Sequence, residues 1–461
     1  MKQFRRMLLV LVSLLLGMTA FAGCAAPATT APAEVEATQE QPVEETAAVV
    51  EETTVAPLSG EITFITNRTD LAADGTYDEL IAKFKEKNPD AVINVESITD
   101  YSGEMATRMQ TEEYGDVLMI PDAVPSTEFA NYFEPWGTVE ELSSKYQEGY
   151  LYAKWIDGQV YGLAYMCTVQ GIVYNKQVWE SAGITELPKT PDEFLADLQL
   201  IKDNTDATPY YTNANSGWPL DQWQDHCFGS VTGNADYHNN EMPHDTNAWA
   251  EGSSHYTVAK LLYDIVANGL CEADPTTCDW EASKVALCKG EIATMVLGNW
   301  AINQVKEMGA AAGGDPSQVG YMPFPVTDAN GKQFATSGAD YCYAVNIHSE
   351  NKDLAKAWVT FLLDESGLAA SQGGISLLKS DPMPAGLENF EGVAFIVDKP
   401  ATEENMGKLS EVEIESGITL YDNGVRMNRI VDAARGASSE TFESIMADLN
   451  KLWADAIAAV G

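Results

Sequence analysis

The chain has 461 residues, room for two or three domains at about 150 residues each. Apolar residues make up 45% and charged residues 21%, a globular composition with ample material for a core, and 27 basic against 69 acidic residues give a net charge of −42. That balance argues against nucleic acid, whose phosphates need clustered Lys and Arg, and against adsorption to an anionic membrane surface.

Lys2, Arg5 and Arg6 precede an apolar run from Met7 to Leu16, small residues follow, and the segment ends Phe21-Ala22-Gly23-Cys24. This reads as a secretory signal peptide over 1–23, with an apolar stretch too short for a membrane-spanning helix. Its ending resembles a bacterial lipobox, with Phe21 where the pattern usually has Leu. The resemblance implies that Cys24 is acylated and becomes the mature N-terminus. Cleavage removes three positive charges and no negative ones, taking −42 to −45. Residues 24–58 then form an acidic tether. They carry Glu34, Glu36, Glu40, Glu44, Glu45, Glu51 and Glu52, with no basic and no aromatic residue. Such a segment cannot offset its ordering entropy and is expected to stay disordered and extended by like charge. A long tether suits a Gram-positive cell surface.

From Glu61 the pattern alternates strand and helix. Ile62–Thr66 predicts a strand, Tyr77–Lys87 a helix stopping at Asn88-Pro89, Val92–Val95 a strand, Met105–Glu112 a helix and Asp116–Ile120 a strand. Thr190-Pro191-Asp192-Glu193 predicts a capped helix start, with Phe194, Leu195, Leu198 and Ile201 on one face. Ala293–Leu297 predicts a buried strand, followed by Gly298-Asn299-Trp300 and a helix to Met308. Asp340–Ile347 predicts a strand, Lys352–Leu363 an amphipathic helix, and Phe442–Val460 a helix with Ile445, Leu449, Leu452, Trp453 and Ala456 in register. Strands separated by helices of this size imply a mainly parallel α/β sheet with helical crossovers.

Beyond Cys24 there are six cysteines, Cys167, Cys227, Cys271, Cys278, Cys288 and Cys342, which permit three disulfides; Cys271 and Cys278 enclose a short loop they could close. No Cys-x-x-Cys occurs, which argues against a redox dithiol or a zinc ribbon. His-Glu-x-x-His, Gly-x-Ser-x-Gly, Gly-x-Gly-x-x-Gly and the phosphate-binding Gly-x-x-x-x-Gly-Lys-Ser/Thr are missing too. His226, His238 and His244 lie in a polar stretch without zinc spacing and read as surface-loop residues. No cofactor, metal or catalytic group is expected.

The residues from Val173 to Ile184, Val-Tyr-Asn-Lys-Gln-Val-Trp-Glu-Ser-Ala-Gly-Ile, are followed by Leu187-Pro188-Lys189-Thr190-Pro191-Asp192-Glu193-Phe194. This block resembles the signature of family 1 extracellular solute-binding proteins of ABC transporters, the sugar-binding relatives of maltose-binding protein. Phe84-Lys85-Glu86-Lys87-Asn88-Pro89 and Asp116-Val117-Leu118 agree with the same family. The resemblance implies a two-lobed binding-protein fold, each lobe a mainly parallel sheet flanked by helices and joined by crossing strands. Lobe 1 is expected over 59–165 plus about 344–398, and lobe 2 over about 166–343 plus 399–461. The crossings are expected near Tyr161–Gln170, near Asp340–Asn346 and near Pro400. In the family those strands pair side by side, which implies that Cys167 and Cys342 come within the roughly 7 Å reach of a disulfide.

The implied activity is capture of a carbohydrate in the interlobe cleft and delivery to the permease subunits of an ABC importer. The protein is expected to act as a monomer at the extracellular face of the cell membrane, held there by its lipid anchor alone. Sugar rings present apolar C–H faces and a rim of hydroxyls, so aromatic planes and Asp, Asn or Arg are the expected contacts. Candidates at strand ends and turns are Asn67, Arg68, Asp70, Asp116, Trp136, Tyr165, Trp218, Trp223, Trp300, Gly338 and Asp340. Trp218 and Trp223 stand about 140° apart on a helix, so one faces the cleft and the other the core. Trp155, Trp179, Trp358 and Trp453 fall on core-like patterns. The competing readings are the same fold binding a polyamine or other non-sugar solute, and a secreted glycosidase working with paired carboxylates.

Overall fold

A computed structural model of the chain describes residues 56–99, 101–121 and 124–461. The signal peptide, Cys24 and nearly all of the tether lie outside the described residues. The strands are β1 (Gly60–Thr66), β2 (Ala91–Ser97), β3 (Val117–Met119), β4 (Trp155–Ile156), β5 (Gln159–Val160), β6 (Leu163–Ala164), β7 (Cys167–Asn175), β8 (Thr294–Gly298), β9 (Val319–Met322), β10 (Phe334–Ala339), β11 (Cys342–Val345) and β12 (Ala394–Val397).

Two sheets result. The first has the order β2-β1-β3-β11-β6, and the second the order β12-β10-β7-β8, with β9 also on β7. In the first, β1, β2 and β3 are parallel and β11 is antiparallel to both of its neighbours. In the second, β10 and β12 are parallel while β7 is antiparallel to β8, β9 and β10. Each sheet is thus a parallel set with one reversed strand, and the reversed strand is the one the chain enters on crossing from the other sheet. The crossings are β6 to β7 and β10 to β11. They stay paired between the sheets, where the Tyr165 amide donates to the Tyr341 carbonyl at 3.1 Å and the Asp340 amide to the Met166 carbonyl at 3.0 Å. After a third passage, Ala394–Val397 pairs with β10.

Local chemistry explains most element boundaries. The Thr190 hydroxyl and the Glu193 carboxylate complete a reciprocal capping box at the start of the helix Pro191–Asn204. Phe442–Val460 is one helix that buries Ile445, Leu449, Trp453 and Ala456, whereas Leu452, expected on that stripe, is 39% exposed. The helix expected at Met105–Glu112 is found at Tyr101–Arg108. The Tyr101 hydroxyl fixes it there by bonding both backbone groups of Met119, at 2.7 and 2.8 Å. Side chains of β7 alternate between two cores: Val169 and Val173 join the first, Ile172 and Tyr174 the second. Trp179, Trp358 and Trp453 are buried, and Trp155 is partly buried against the first core.

The cysteine expectations are corrected. All six described cysteines are free, Cys271 and Cys278 included. The crossing strands do pair, but their register sets Cys167 opposite Ala339 and Cys342 opposite Ala164. The three-residue offset corresponds to about 10 Å along the strand, beyond disulfide reach. His226 is not a surface residue: it is fully buried, stacked on Phe324 at 4.0 Å. His238 pairs with Asp398 at 2.7 Å, and His244 bonds Asn405 at 2.7 Å. Among the described residues, no group of His, Cys, Asp and Glu has the arrangement of a metal site, and no helix is long and apolar enough to cross a membrane.

Candidate functional site

Parallel strands place their C-terminal ends and following loops on one side of a sheet, and reversed crossing strands bring two sheets face to face there. A cavity of about 490 Å³ lies at this point. Three segments from the first sheet and the crossings converge on it. The loop after β1 contributes Asn67, Arg68 and Asp70, the first crossing Tyr165 and Met166, and the second crossing Asp340 and Tyr341.

Arg68 organises this wall. Its guanidinium donates to both Asp70 oxygens at 2.9 and 2.6 Å, to the Tyr165 hydroxyl at 3.0 Å and to Gln372 Oε1 at 2.5 Å. The Tyr165 hydroxyl in turn donates to Asp340 Oδ2 at 3.3 Å. Burial opposes the Arg68 charge, but the Asp70 and Tyr165 partners more than offset it and hold its pKa above the ordinary value. Burial would likewise raise the Asp70 carboxyl, yet the Arg68 hydrogen bonds keep it below its usual range. Burial and the neighbouring Asp340 push the Tyr165 phenol up. At neutral pH the wall is therefore a fixed lattice of charge and neutral phenol. Asn67 Oδ1 is buried in it with no hydrogen-bond partner in the protein.

The opposite wall comes from the helices Trp280–Lys289 and Ala301–Ala311. Trp300 follows β8 directly and folds its indole back over Gly298. A Cβ at Gly298 would lie 2.5 Å from Trp300 Nε1, so glycine is what admits this ring position. Trp300 belongs to a group of three indoles, with Trp218 at 5.7 Å and Trp280 at 6.1 Å between ring centroids. Asn303, Gln304 and Glu307 line the same wall from one face of the helix that follows. Lys284 reaches it from the neighbouring helix, with its ammonium 4.9 Å over Trp280 and bonded to Glu281 at 3.0 Å. Asn299 ties this wall to the sheets: it accepts from the Val169 amide at 2.9 Å and donates to the Gly373 carbonyl at 2.8 Å.

Of the residues singled out in the sequence, the cavity brings together Asn67, Arg68, Asp70, Tyr165, Trp300 and Asp340. Trp218 stands behind Trp300. Gly338 lies one turn of pleat away in β10, opposite Thr168. The other three are placed elsewhere. Asp116 precedes β3, at the far end of the sheet from the cavity, where it accepts from the Thr63 amide and the Ser349 hydroxyl. Trp136 packs on the first core with Lys356 5.8 Å from its ring. Trp223 is fully buried and donates to the Tyr210 hydroxyl at 2.7 Å, so it is the core member of the Trp218/Trp223 pair. Sequence reasoning passed over Lys284, Asn303, Gln304, Glu307 and Gln372. They sit on ordinary amphipathic helices and a loop, and no local signal marks the face each turns to the cavity.

Two sheets joined by paired crossing strands, with a polar and aromatic cavity where they meet, define a two-lobed ligand-binding protein rather than a scaffold. The sequence profile of bacterial extracellular solute-binding proteins matches residues 68–369, and the chain belongs to that family. It is 38% identical to a binding protein of an ABC transporter from Bifidobacterium animalis subsp. lactis solved in complex with mannobiose, with a TM-score of 0.78 over 87% of this chain and 95% of that one. It is 36% identical to a manno-oligosaccharide specific solute-binding protein of the same organism solved with mannotriose, at a TM-score of 0.79 over 88% and 96%. The diacetylchitobiose binding protein DasA of Streptomyces coelicolor is 38% identical over 93 residues, which span a fifth of either chain.

Proposed function

We propose that this protein captures a neutral oligosaccharide of the manno-oligosaccharide class and presents it to an ABC importer, acting by binding rather than turnover. The observation that carries the reading is the pairing of the two walls: an indole seated over Gly298 lines the same cavity as a lattice of Arg68, Asp70, Tyr165 and Asp340. The indole suits the C–H face of a hexose and the lattice its hydroxyl rim. The cavity lies within the roughly 300–1,000 Å³ of small-molecule sites. A structural relative at 38% identity holds mannobiose, and one at 36% holds mannotriose. The lining sets two cations, Arg68 and Lys284, against three carboxylates, Asp70, Glu307 and Asp340, so the sugar-bound relatives and the indole, rather than charge, favour a neutral ligand over a polycation. In this reading the lobes that close on the ligand are residues 59–165 plus about 344–393 and about 166–343 plus 394–461, the last boundary falling before the expected 398 because Ala394–Val397 already pairs with β10 of the second sheet, and closure creates the surface read by the permease. The signal-like ending at Cys24 and the acidic tether support a lipid-anchored protein at the outer face of the membrane.

Titration calorimetry of the soluble body with mannobiose, mannotriose, diacetylchitobiose and spermidine tests the ligand class. Saturable binding of a manno-oligosaccharide with no heat from spermidine is expected; the reverse order overturns the reading. For the anchor, Cys24→Ser is expected to move the protein from the membrane fraction to the medium.

A further inference from the structure

The cavity has an open side. In the second sheet, Thr168 pairs with Gly338 and Gln170 with Gly298, so these four positions share one face at the crossing end. The face carries two glycines, and Gly338 has no backbone need to be one, since its φ is not positive. A Cβ there would meet no heavy atom within 4 Å. The missing side chain therefore leaves space above an otherwise regular strand.

The helix Trp218–Asp225 roofs that space. Its first residue packs on Trp300 just beyond β8, and the carbonyl of its last accepts from Thr336 of β10 at 2.7 Å. It therefore crosses over β7; eight residues span about 12 Å, and two strand spacings about 10 Å. Leu220 and Trp223 face the second core, while Trp218, Asp221, Gln222 and Asp225 form the other, half-buried face. Gln222 Oε1 on the helix and Gln170 Oε1 on the floor are buried with no hydrogen-bond partner in the protein. Asp225 is held in place by the Tyr421 hydroxyl at 2.7 Å. Two strands of the shelf run directly into the cavity, through Asp340 after Gly338 and Met166 before Thr168.

We infer that the binding site continues from the cavity along this shelf, as a further ring subsite over Gly338, beyond the two rings a disaccharide places in the cavity, that selects oligosaccharides of three or more units. The inference rests on the carbohydrate reading above. Buried carbonyl oxygens without partners are costly, and hydroxyl donors satisfy them. Gln170 and Gln222 thus call for a polyol ring between floor and roof, with Trp218 available to its C–H face.

The test is titration of mannobiose and mannotriose into the wild-type body, Gly338→Leu and Gln222→Ala, with ligand-free melting temperatures as a check on folding. Leucine at 338 fills the shelf without backbone strain, and alanine at 222 keeps the helix. Both variants are expected to lose at least tenfold more affinity for mannotriose than for mannobiose. Equal losses on the two sugars, or no loss on either, overturn the shelf alone. Failure of the wild-type protein to bind either sugar removes the carbohydrate reading, and the shelf with it.

Discussion

The two walls of the cavity are built on different principles. The wall from the first sheet is charged and largely self-paired: Arg68 donates to Asp70, Tyr165 and Gln372, while Asn67 Oδ1 is left without a partner in the protein. The wall from the second sheet is aromatic and amide-rich: its helices bury Leu287, Ile302 and Val305 in the first core, and its indoles pack on that core too, apart from the second core that holds Trp223. A fixed charge lattice orients hydroxyl groups at little cost in reorganisation, as long as its members hold one another. An indole supplies contact area without demanding direction. The contrast suggests that orientation comes from one lobe and contact energy from the other, and each substitution below strikes one side.

The largest effect is expected in the second core, beneath the helix that carries Trp218. Trp223→Ala removes a fully buried indole and leaves the Tyr210 hydroxyl without its donor. Large aromatic truncations of this kind cost about 3–5 kcal/mol of stability. Chemical denaturation measures it; a loss under about 1 kcal/mol would mean that Trp223 does not anchor the second core.

Next comes Arg68→Ala, which strips partners from Asp70, Tyr165 and Gln372 together. Leaving such groups unpaired costs about 2 kcal/mol, and sugar affinity is expected to fall with it. Arg68→Lys should not rescue binding, because one ammonium cannot reproduce a planar fork bonded on three sides. Full rescue by lysine would reduce the lattice to a simple charge.

Trp300→Ala isolates the contact wall. A central aromatic anchor is worth about 2 kcal/mol in binding, roughly thirtyfold. Trp300 is only partly buried, so the ligand-free melting temperature should change little. Gly298→Ala should mimic it, because the new Cβ would force the indole off its seat. Tight sugar binding in a folded Trp300→Ala variant would move the contact energy to Trp218 or Trp280.

How far these walls could be read from the sequence follows from the range of the forces that set them. Local chemistry was legible: the capping box at Thr190, the stripe from Phe442 and the strand-to-helix turn at Gly298-Asn299-Trp300 all depend on near neighbours. The incompatibility of Trp218 and Trp223 on one helix face was legible too, though not which of them the core would take. Register was not. Cys167 and Cys342 lie on paired strands, yet a three-residue offset set by side-chain packing separates them. The helix faces carrying Lys284, Asn303 and Glu307 were likewise invisible, because tertiary contact alone decides which side of an amphipathic helix meets a cavity.

The smallest effect separates the first wall from the second core by pH. On the first wall, Asp70 stays charged below its usual range and Arg68 above its own, so neither changes between pH 8 and 6. In the second core, burial pushes the His226 imidazole down to about 3, while Ser230 bonds its Nδ1 at 2.9 Å. A depressed histidine pKa means the unfolded chain binds the proton first. The stability His226 lends is then complete above the unfolded value near 6.5 and declines as pH falls toward 3. Between pH 8 and 6 the loss is about 0.8 kcal/mol. Two neighbours complicate the raw profile: His255 is also lowered by burial and acts in the same direction, whereas burial raises Asp225 to about 7 and acts in the opposite one. His226→Phe keeps a ring against Phe324, 4.0 Å away in the native stack, and removes the titration. The stability gap between native protein and variant should narrow by about 0.8 kcal/mol on moving from pH 8 to 6, with the other groups cancelling in the difference. A constant gap would show that His226 titrates alike in both states, and that the second core is no more sensitive to acid than the first wall.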